Sequence, residues 1–184
     1  MSENPVKVAV IVGSTRTGRF GPTVSAWFVE HARRRGDVTL DLIDLAEDRL
    51  SEHVSGTSIS ARLAAADGFV VVTPEYNHSY PAPLKSAIDS HYTEWQAKPI
   101  GFVSYGGVSG GLRAVEHLRH VFAELHAVTV RDTVSFHGAA QLFDATGNPT
   151  DPAAPAAAAD QLLDQLHWWA SALRTARTQN PYAA

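Results

Sequence analysis

Two arginines and three hydroxyl side chains crowd into one short stretch near the start of the chain, Gly13-Ser14-Thr15-Arg16-Thr17-Gly18-Arg19. Arg16 and Arg19 bring fixed positive charge, and Ser14, Thr15 and Thr17 bring hydroxyl groups. Gly13 and Gly18 give a backbone that turns tightly and approaches a ligand closely. Such donors around a bend suit a compact anion, above all a phosphate. A terminal phosphomonoester, with a charge of about −2, matches the set best. Two other nucleotide patterns fail at the residues that carry their chemistry. In residues 13–20, Arg19 stands where the triphosphate loop needs lysine and Phe20 where it needs a magnesium-binding hydroxyl, and no G-x-G-x-x-G occurs.

Two further stretches are chemically loaded. One is Pro74-Glu75-Tyr76-Asn77-His78-Ser79-Tyr80-Pro81, held by proline at both ends, and the other runs from Ser104 to Ser109 and offers Tyr105, Gly106 and Gly107. A flat heteroaromatic ring needs an aromatic or apolar face, amides along its hydrogen-bonding edge, and small residues that let the backbone come near. Taken singly, Tyr76 and Tyr80 read as surface aromatics. The coincidence of three such loops points to a pocket.

The elements that must position these loops follow from hydrophobic pattern. Val6 to Val12 and Gly68 to Thr73 are near-continuous apolar runs, as expected of strands buried on both faces of a parallel sheet. Pro99 to Tyr105 and Ala127 to Val134 supply two more strands. Val38 to Leu45 alternates, as a half-buried strand near an edge does. Between the strands, helical spacing places a helix from Gly21-Pro22 to about Arg35, ended by Gly36. Others cover Ser58 to Ala66, Pro83 to Asp89, and the stripe Leu112, Val115, Leu118, Phe122, Leu125. Residues 46 to 57 read as irregular, 137 to 155 as a long loop, and Leu162, Leu166, Trp169 and Leu173 as the core stripe of a last helix before a tail at 180–184. Strands alternating with helices give a three-layer α/β fold with a parallel sheet. In the order 2-1-3-4-5 the three loaded loops follow adjacent strands, at the sheet end where such folds bind ligands.

Composition narrows the partners. Of 184 residues, 45% are hydrophobic and 18% charged, which is a globular balance, and the net charge of −4 offers no general attraction to nucleic acid or anionic membranes. The absence of cysteine excludes disulfides, thiolate chemistry and cysteine-ligated metal. Met1 to Pro5 carry no leader pattern and no apolar run reaches bilayer length. One domain over residues 1–184, in the cytoplasm, is the expectation. His117 and His120, a turn apart, could share a metal with Glu116 or Glu124, but the stripe of their helix turns them outward, so no metal site is expected. No Gly-x-Ser-x-Gly elbow supports hydrolysis. Trp27 and Trp169 fall on core stripes, whereas Trp95 and Trp168 suit an interface.

The first loop, then Thr73-Pro74-Glu75-Tyr76-Asn77 with Pro83-Leu84-Lys85-Ser86-Ala87-Ile88-Asp89, then Val103-Ser104-Tyr105-Gly106-Gly107, together resemble the NAD(P)H-dependent FMN reductase family, which includes quinone, azo-dye and chromate reductases. The resemblance runs over about residues 6 to 135 and takes in His91-Tyr92-Thr93-Glu94-Trp95 and Lys98-Pro99. It implies a flavodoxin-like fold with bound FMN. Ser14, Arg16 and Arg19, with Thr17 and Phe20, are implied at the phosphate. Pro74, Glu75, Tyr76 and Asn77, with Ser104, Tyr105, Gly106 and Gly107, are implied around the isoalloxazine. His78 stands where the family often has a small residue. NADPH or NADH is the implied co-substrate, a small molecule the electron acceptor, and a homodimer or homotetramer the assembly. The flavin carries the chemistry, so no catalytic residue is assigned, although Glu75 and Lys85 suggest a proton donor and a charge partner. The alternative is a flavin-binding electron carrier or redox sensor acting through a protein partner. The mild net charge and the two loop arginines favour the enzyme.

Overall fold

The computed structural model describes residues 5–47 and 59–183. Within them run strands β1 (Val6–Val12), β2 (Val38–Asp44), β3 (Gly68–Pro74), β4 (Pro99–Gly106) and β5 (Val128–His137). The helices are α1 (Gly21–Arg33), α2 (Ser60–Ala65), α3 (Ala82–Asp89), α4 (Leu112–Glu124), α5 (Ala139–Leu142) and α6 (Ala153–Gln179). The strands form one parallel sheet in the expected order, β2-β1-β3-β4-β5. Most of the stretch 46–57, the helix start at Ser58, the first four residues and the tail residue Ala184 lie outside the described residues.

Strand side chains alternate between two cores. Val6, Val8 and Val10 of β1, with Val70, Val72 and Val103, pack under α1 and α6. Ala9 and Ile11, with Phe69, Val71 and Phe102, pack under α2, α3 and α4. Burial on both sides is why β1 and β3 read as unbroken apolar runs. β2 lies at the sheet edge, and its half-buried pattern accounts for its alternation. At the end of the sheet opposite the loaded loops, the Lys98 amine donates to the carbonyls of Leu63 and Ala64 at 3.0 Å each, and burial pushes it down to about 8.

Several expectations need correction. Trp95 is no interface residue: it is 1% exposed, with its ring against Phe69 and Phe122. Its indole N–H is shared between the carbonyls of Ile88 and His91 at 3.1 and 3.0 Å, just at and beyond the end of α3. The stripe of α6 is Ala159, Leu162, Leu163, Leu166 and Ala170, with Trp169 left 37% exposed beside Trp168. Positions 169 and 170 serve a 3.6-residue period equally, and the smaller Ala170 takes the sheet side. Leu112, in the first turn of α4, is exposed. β5 continues through Ser135, Phe136 and His137, paired with Ser104, Tyr105 and Gly106. The expected loop after it is broken by α5, and Pro155 sits inside the first turn of α6, where a missing N–H costs nothing. Among the described residues no helix is long and apolar enough to cross a membrane.

Candidate functional site

The loops after β1, β3 and β4 leave the carboxyl ends of three neighbouring strands, at the crossing point where the order runs 2-1-3. Backbone bonds continue the ladder past the strands: the Gly13 N–H reaches the Val72 carbonyl at 2.9 Å and the Glu75 N–H the Tyr105 carbonyl at 3.2 Å. All three loops therefore start from one rigid edge.

The first loop divides its polar groups between its own construction and the solvent side. Ser14 is fully buried, and its hydroxyl accepts a hydrogen bond from the Tyr105 hydroxyl at 3.0 Å. Burial pushes the Tyr105 phenol up to about 12, so it stays a donor. Gly21 makes this junction possible, since a Cβ there would lie 2.4 Å from the Ser14 hydroxyl oxygen. Arg19 donates to the Ser14 carbonyl at 2.8 Å and pairs with both carboxylate oxygens of Asp44, at 2.5 and 2.8 Å. The hydrogen bonds it donates to Asp44 hold its guanidinium above the ordinary arginine value. Its charge is thus spent tying the loop to β2. Phe20 packs edge-on against Phe143 and Tyr105, half-buried over the core.

Arg16 and Thr17 stay outside this framework. Arg16 is exposed, has no ion pair among the described residues, and lies 3.7 Å over the ring of Tyr76. The backbone N–H groups of Ser14 through Gly18 have no acceptor among the described residues. Behind them stands the N-terminus of α1, a 13-residue helix without a side-chain cap. Consecutive unpaired amides, a helix N-terminus and one uncommitted arginine form an anion cradle.

The second loop turns tightly. Tyr76 and Ser79 exchange backbone hydrogen bonds at 2.8 and 3.0 Å, with Asn77 and His78 exposed between them at φ 51° and 69°. His117 reaches the Ser79 hydroxyl at 3.0 Å, so it supports this turn, and no group of three metal-ligating residues occurs among the described residues. Lys85 pairs with Asp89 at 2.6 Å, one turn on along α3. Glu75 serves as an acceptor, taking hydrogen bonds from Ser109 and Arg113. Burial opposes its charge, but the Ser109 hydroxyl and Arg113 hold it below the usual carboxylate range.

In the third loop the Ser104 side chain points inward, its hydroxyl donating to the Gly110 carbonyl at 2.8 Å. The Tyr105 ring lies in the core under α1 and α6, so only its backbone edges the loop. Gly106 and Gly107 accept the Gly138 N–H at 2.9 Å each, and nothing crowds a Cβ at Gly107. The N–H groups of Gly107 and Val108, like those of Asn77 and His78, have no acceptor among the described residues, and all four residues are exposed. Sequence reasoning missed Arg113, Gly110 and Gly111, and it gave Ser109 no role beyond closing the third loop. The Gly110-Gly111 doublet directly before a helical stripe was the available signal.

A family model described as NADPH-dependent FMN reductase matches residues 6–141. An NAD(P)H-dependent FMN reductase of Schizosaccharomyces pombe is 39% identical over 132 residues, 62% of this chain and 64% of that protein, so the match spans less than two thirds of that relative. A 2-hydroxy-1,4-benzoquinone reductase of a Burkholderia species is 30% identical across 78% of this chain and 85% of its own length. Among solved structures, the FerB flavoenzyme of Paracoccus denitrificans, an NAD(P)H:acceptor oxidoreductase, superposes with a TM-score of 0.71 over 91% of this chain and 98% of that one. At 23% identity it speaks for the fold.

Proposed function

Since the chain belongs to the NADPH-dependent FMN reductase family, we propose that it is an FMN-dependent oxidoreductase that takes a hydride from NADPH or NADH and passes electrons to a small acceptor: a quinone, free flavin, azo or nitro compound, or metal oxyanion. The observation that carries this reading is the meeting of an anion cradle and two donor-edged loops at one end of the sheet. FMN presents both matching parts, a terminal phosphate and a flat ring with acceptors along one edge, and when bound it supplies the hydride-accepting and electron-relaying chemistry.

In this reading the amides of residues 14–18, Thr17 and Arg16 hold the phosphate, while Arg19 and Ser14 keep the loop in shape from below. Pro74, Tyr76 and Asn77 with Gly106 and Gly107 edge the ring, and Ser104, Tyr105 and Phe20 brace them from the core. No side chain is assigned as acid or base. The carrier or sensor alternative draws no support from the named relatives, all reductases.

Both substrates then share one opening on one domain. Initial rates at several fixed acceptor concentrations should give parallel double-reciprocal lines, whereas intersecting lines would mean that both bind together. A cytoplasmic location and self-association belong to the same reading. With Trp95 inside the core, the most exposed large aromatic side chains among the described residues are Trp168 and Tyr92, at 63% and 51%. Light scattering at micromolar concentration should return a multiple of the 19.8 kDa chain mass. A single chain's mass contradicts association.

A further inference from the structure

The second and third loops meet at one carboxylate. Glu75 follows β3 directly, and its side chain is only 6% exposed. It accepts the Ser109 hydroxyl at 2.6 Å, the Arg113 backbone N–H at 3.2 Å, and the Arg113 Nε and second guanidinium nitrogen at 2.5 Å each. Burying a carboxylate is costly unless its oxygens are fully hydrogen-bonded to an opposite charge, and here they are. None of these partners belongs to Glu75's own loop. All lie at the far end of the third loop and in the first turn of α4.

The segment gripped in this way is bent on itself, the Gly110 N–H reaching the Gly107 carbonyl at 3.3 Å, and its start is held by the Gly138 N–H at the Gly106 and Gly107 carbonyls, 2.9 Å each. Gly110 and Gly111 both adopt left-handed backbone, at φ 59° and 87°. A Cβ on Gly111 would lie 2.7 Å from the Ser104 Cβ and 2.9 Å from the Tyr105 nitrogen, so the loop is pressed hard onto β4. Upstream, Val108 is 98% exposed and a Gly107 Cβ would meet nothing. On the outer side the loop is tethered by His137 at the Val108 carbonyl, 2.9 Å, and by the Ser104 and Ser135 hydroxyls at the Gly110 carbonyl, 2.8 and 2.9 Å. On the side facing the second loop, the contact is Glu75.

We propose that Glu75 is a positioning residue: it locks the third loop against the second, so that the acceptor-free amides of both form a single ring-binding edge before the flavin arrives. It acts through Ser109 and Arg113 and does not touch the ring. This rests on the FMN reading above. Its consequence is specific to one end of the ligand. If the unclamped loop is in the competent shape about a tenth of the time, every ligand that needs the ring edge binds about tenfold more weakly. The phosphate cradle lies on the first loop, outside the clamp.

Riboflavin, which is FMN without its phosphate, separates the two ends. Dissociation constants for both, from quenching of flavin fluorescence, are measured on full-length wild-type protein, Glu75→Ala, Glu75→Gln, Ser109→Ala and Arg113→Ala, well below the unfolding temperature of each. Glu75→Ala should weaken FMN and riboflavin by the same factor, about tenfold. Glu75→Gln keeps an acceptor oxygen and should recover part of that loss. Arg113→Ala placed on Glu75→Ala should add nothing, since Arg113 works through Glu75. If Glu75→Ala does not fold by circular dichroism, Ser109→Ala decides, because it removes one bond and leaves the ion pair. The proposal is overturned if the folded variants bind both flavins as tightly as the wild type, or if the loss is confined to FMN, which would put Glu75 at the phosphate. Wild-type protein that binds neither flavin removes the FMN reading and this proposal together, a result distinct from both.

Discussion

Replacing Arg16 with alanine should weaken FMN binding by about 1.5–3 kcal/mol, between about tenfold and a hundredfold, and leave the melting temperature nearly unchanged. The guanidinium is exposed and free of ion pairs among the described residues, and its one contact is the Tyr76 ring. A cation–π contact at an exposed site is worth only about 0.5–1 kcal/mol. Arg19→Ala should do the reverse and lower stability first. It removes the pair with Asp44 and the bond to the Ser14 carbonyl, and it leaves a carboxylate 13% exposed without its counter-charge. Riboflavin binding should be indifferent to Arg16→Ala. Titration of FMN into each variant, with thermal melts alongside, separates the two arginines. An Arg16→Ala protein that binds FMN like the wild type would mean that the first loop is not the phosphate site.

The largest stability effect should come from Trp95. Truncation to alanine removes a fully buried indole, its ring contacts with Phe69 at 4.7 Å and Phe122 at 5.5 Å, and the N–H that serves two carbonyls at the end of α3. Large-to-small changes of this kind cost about 3–5 kcal/mol. For a chain of this length that is a fall of roughly 6–20 °C in melting temperature. Trp95→Phe should lose less, keeping most of the ring volume but giving up the indole hydrogen bonds to Ile88 and His91. A loss below about 1 kcal/mol for Trp95→Ala, combined with a change in oligomeric mass, would return Trp95 to an interface.

These two residues mark where the sequence is legible and where it is not. β1 and β3 could be read because burial on both faces leaves an unbroken apolar signature, and β2 because an edge strand alternates. The three loops could be read because glycine, proline, hydroxyl and arginine side chains cluster directly behind those strands. What a loop does with each side chain depends on register, which composition does not carry. Arg16 and Arg19 look equivalent in sequence, yet only the position of Asp44 on the neighbouring strand makes Arg19 a brace. Ser14 and Tyr105 are 91 residues apart, and their hydroxyl contact exists because β1 and β4 flank β3 and Gly21 leaves room. Trp95 follows a helix in a polar–aromatic connection, the setting of an interface residue, but the Ile88 and His91 carbonyls accept its N–H and its ring packs between Phe69 and Phe122. Trp169 was misplaced because a 3.6-residue period cannot choose between positions 169 and 170. Arg113 stayed invisible, and Ser109 read only as the end of its loop, because their importance comes from Glu75, on another strand's loop.

The central claim, that this site binds FMN and reduces it with a nicotinamide, is tested most directly by the spectrum of the protein itself. Protein loaded with FMN and freed of excess should keep the flavin's visible absorbance. It should lose that absorbance when mixed with NADPH or NADH in the absence of oxygen, and regain it when a quinone is added. Flavin that stays oxidised for minutes with both nicotinamides, or that washes away completely, would contradict the account.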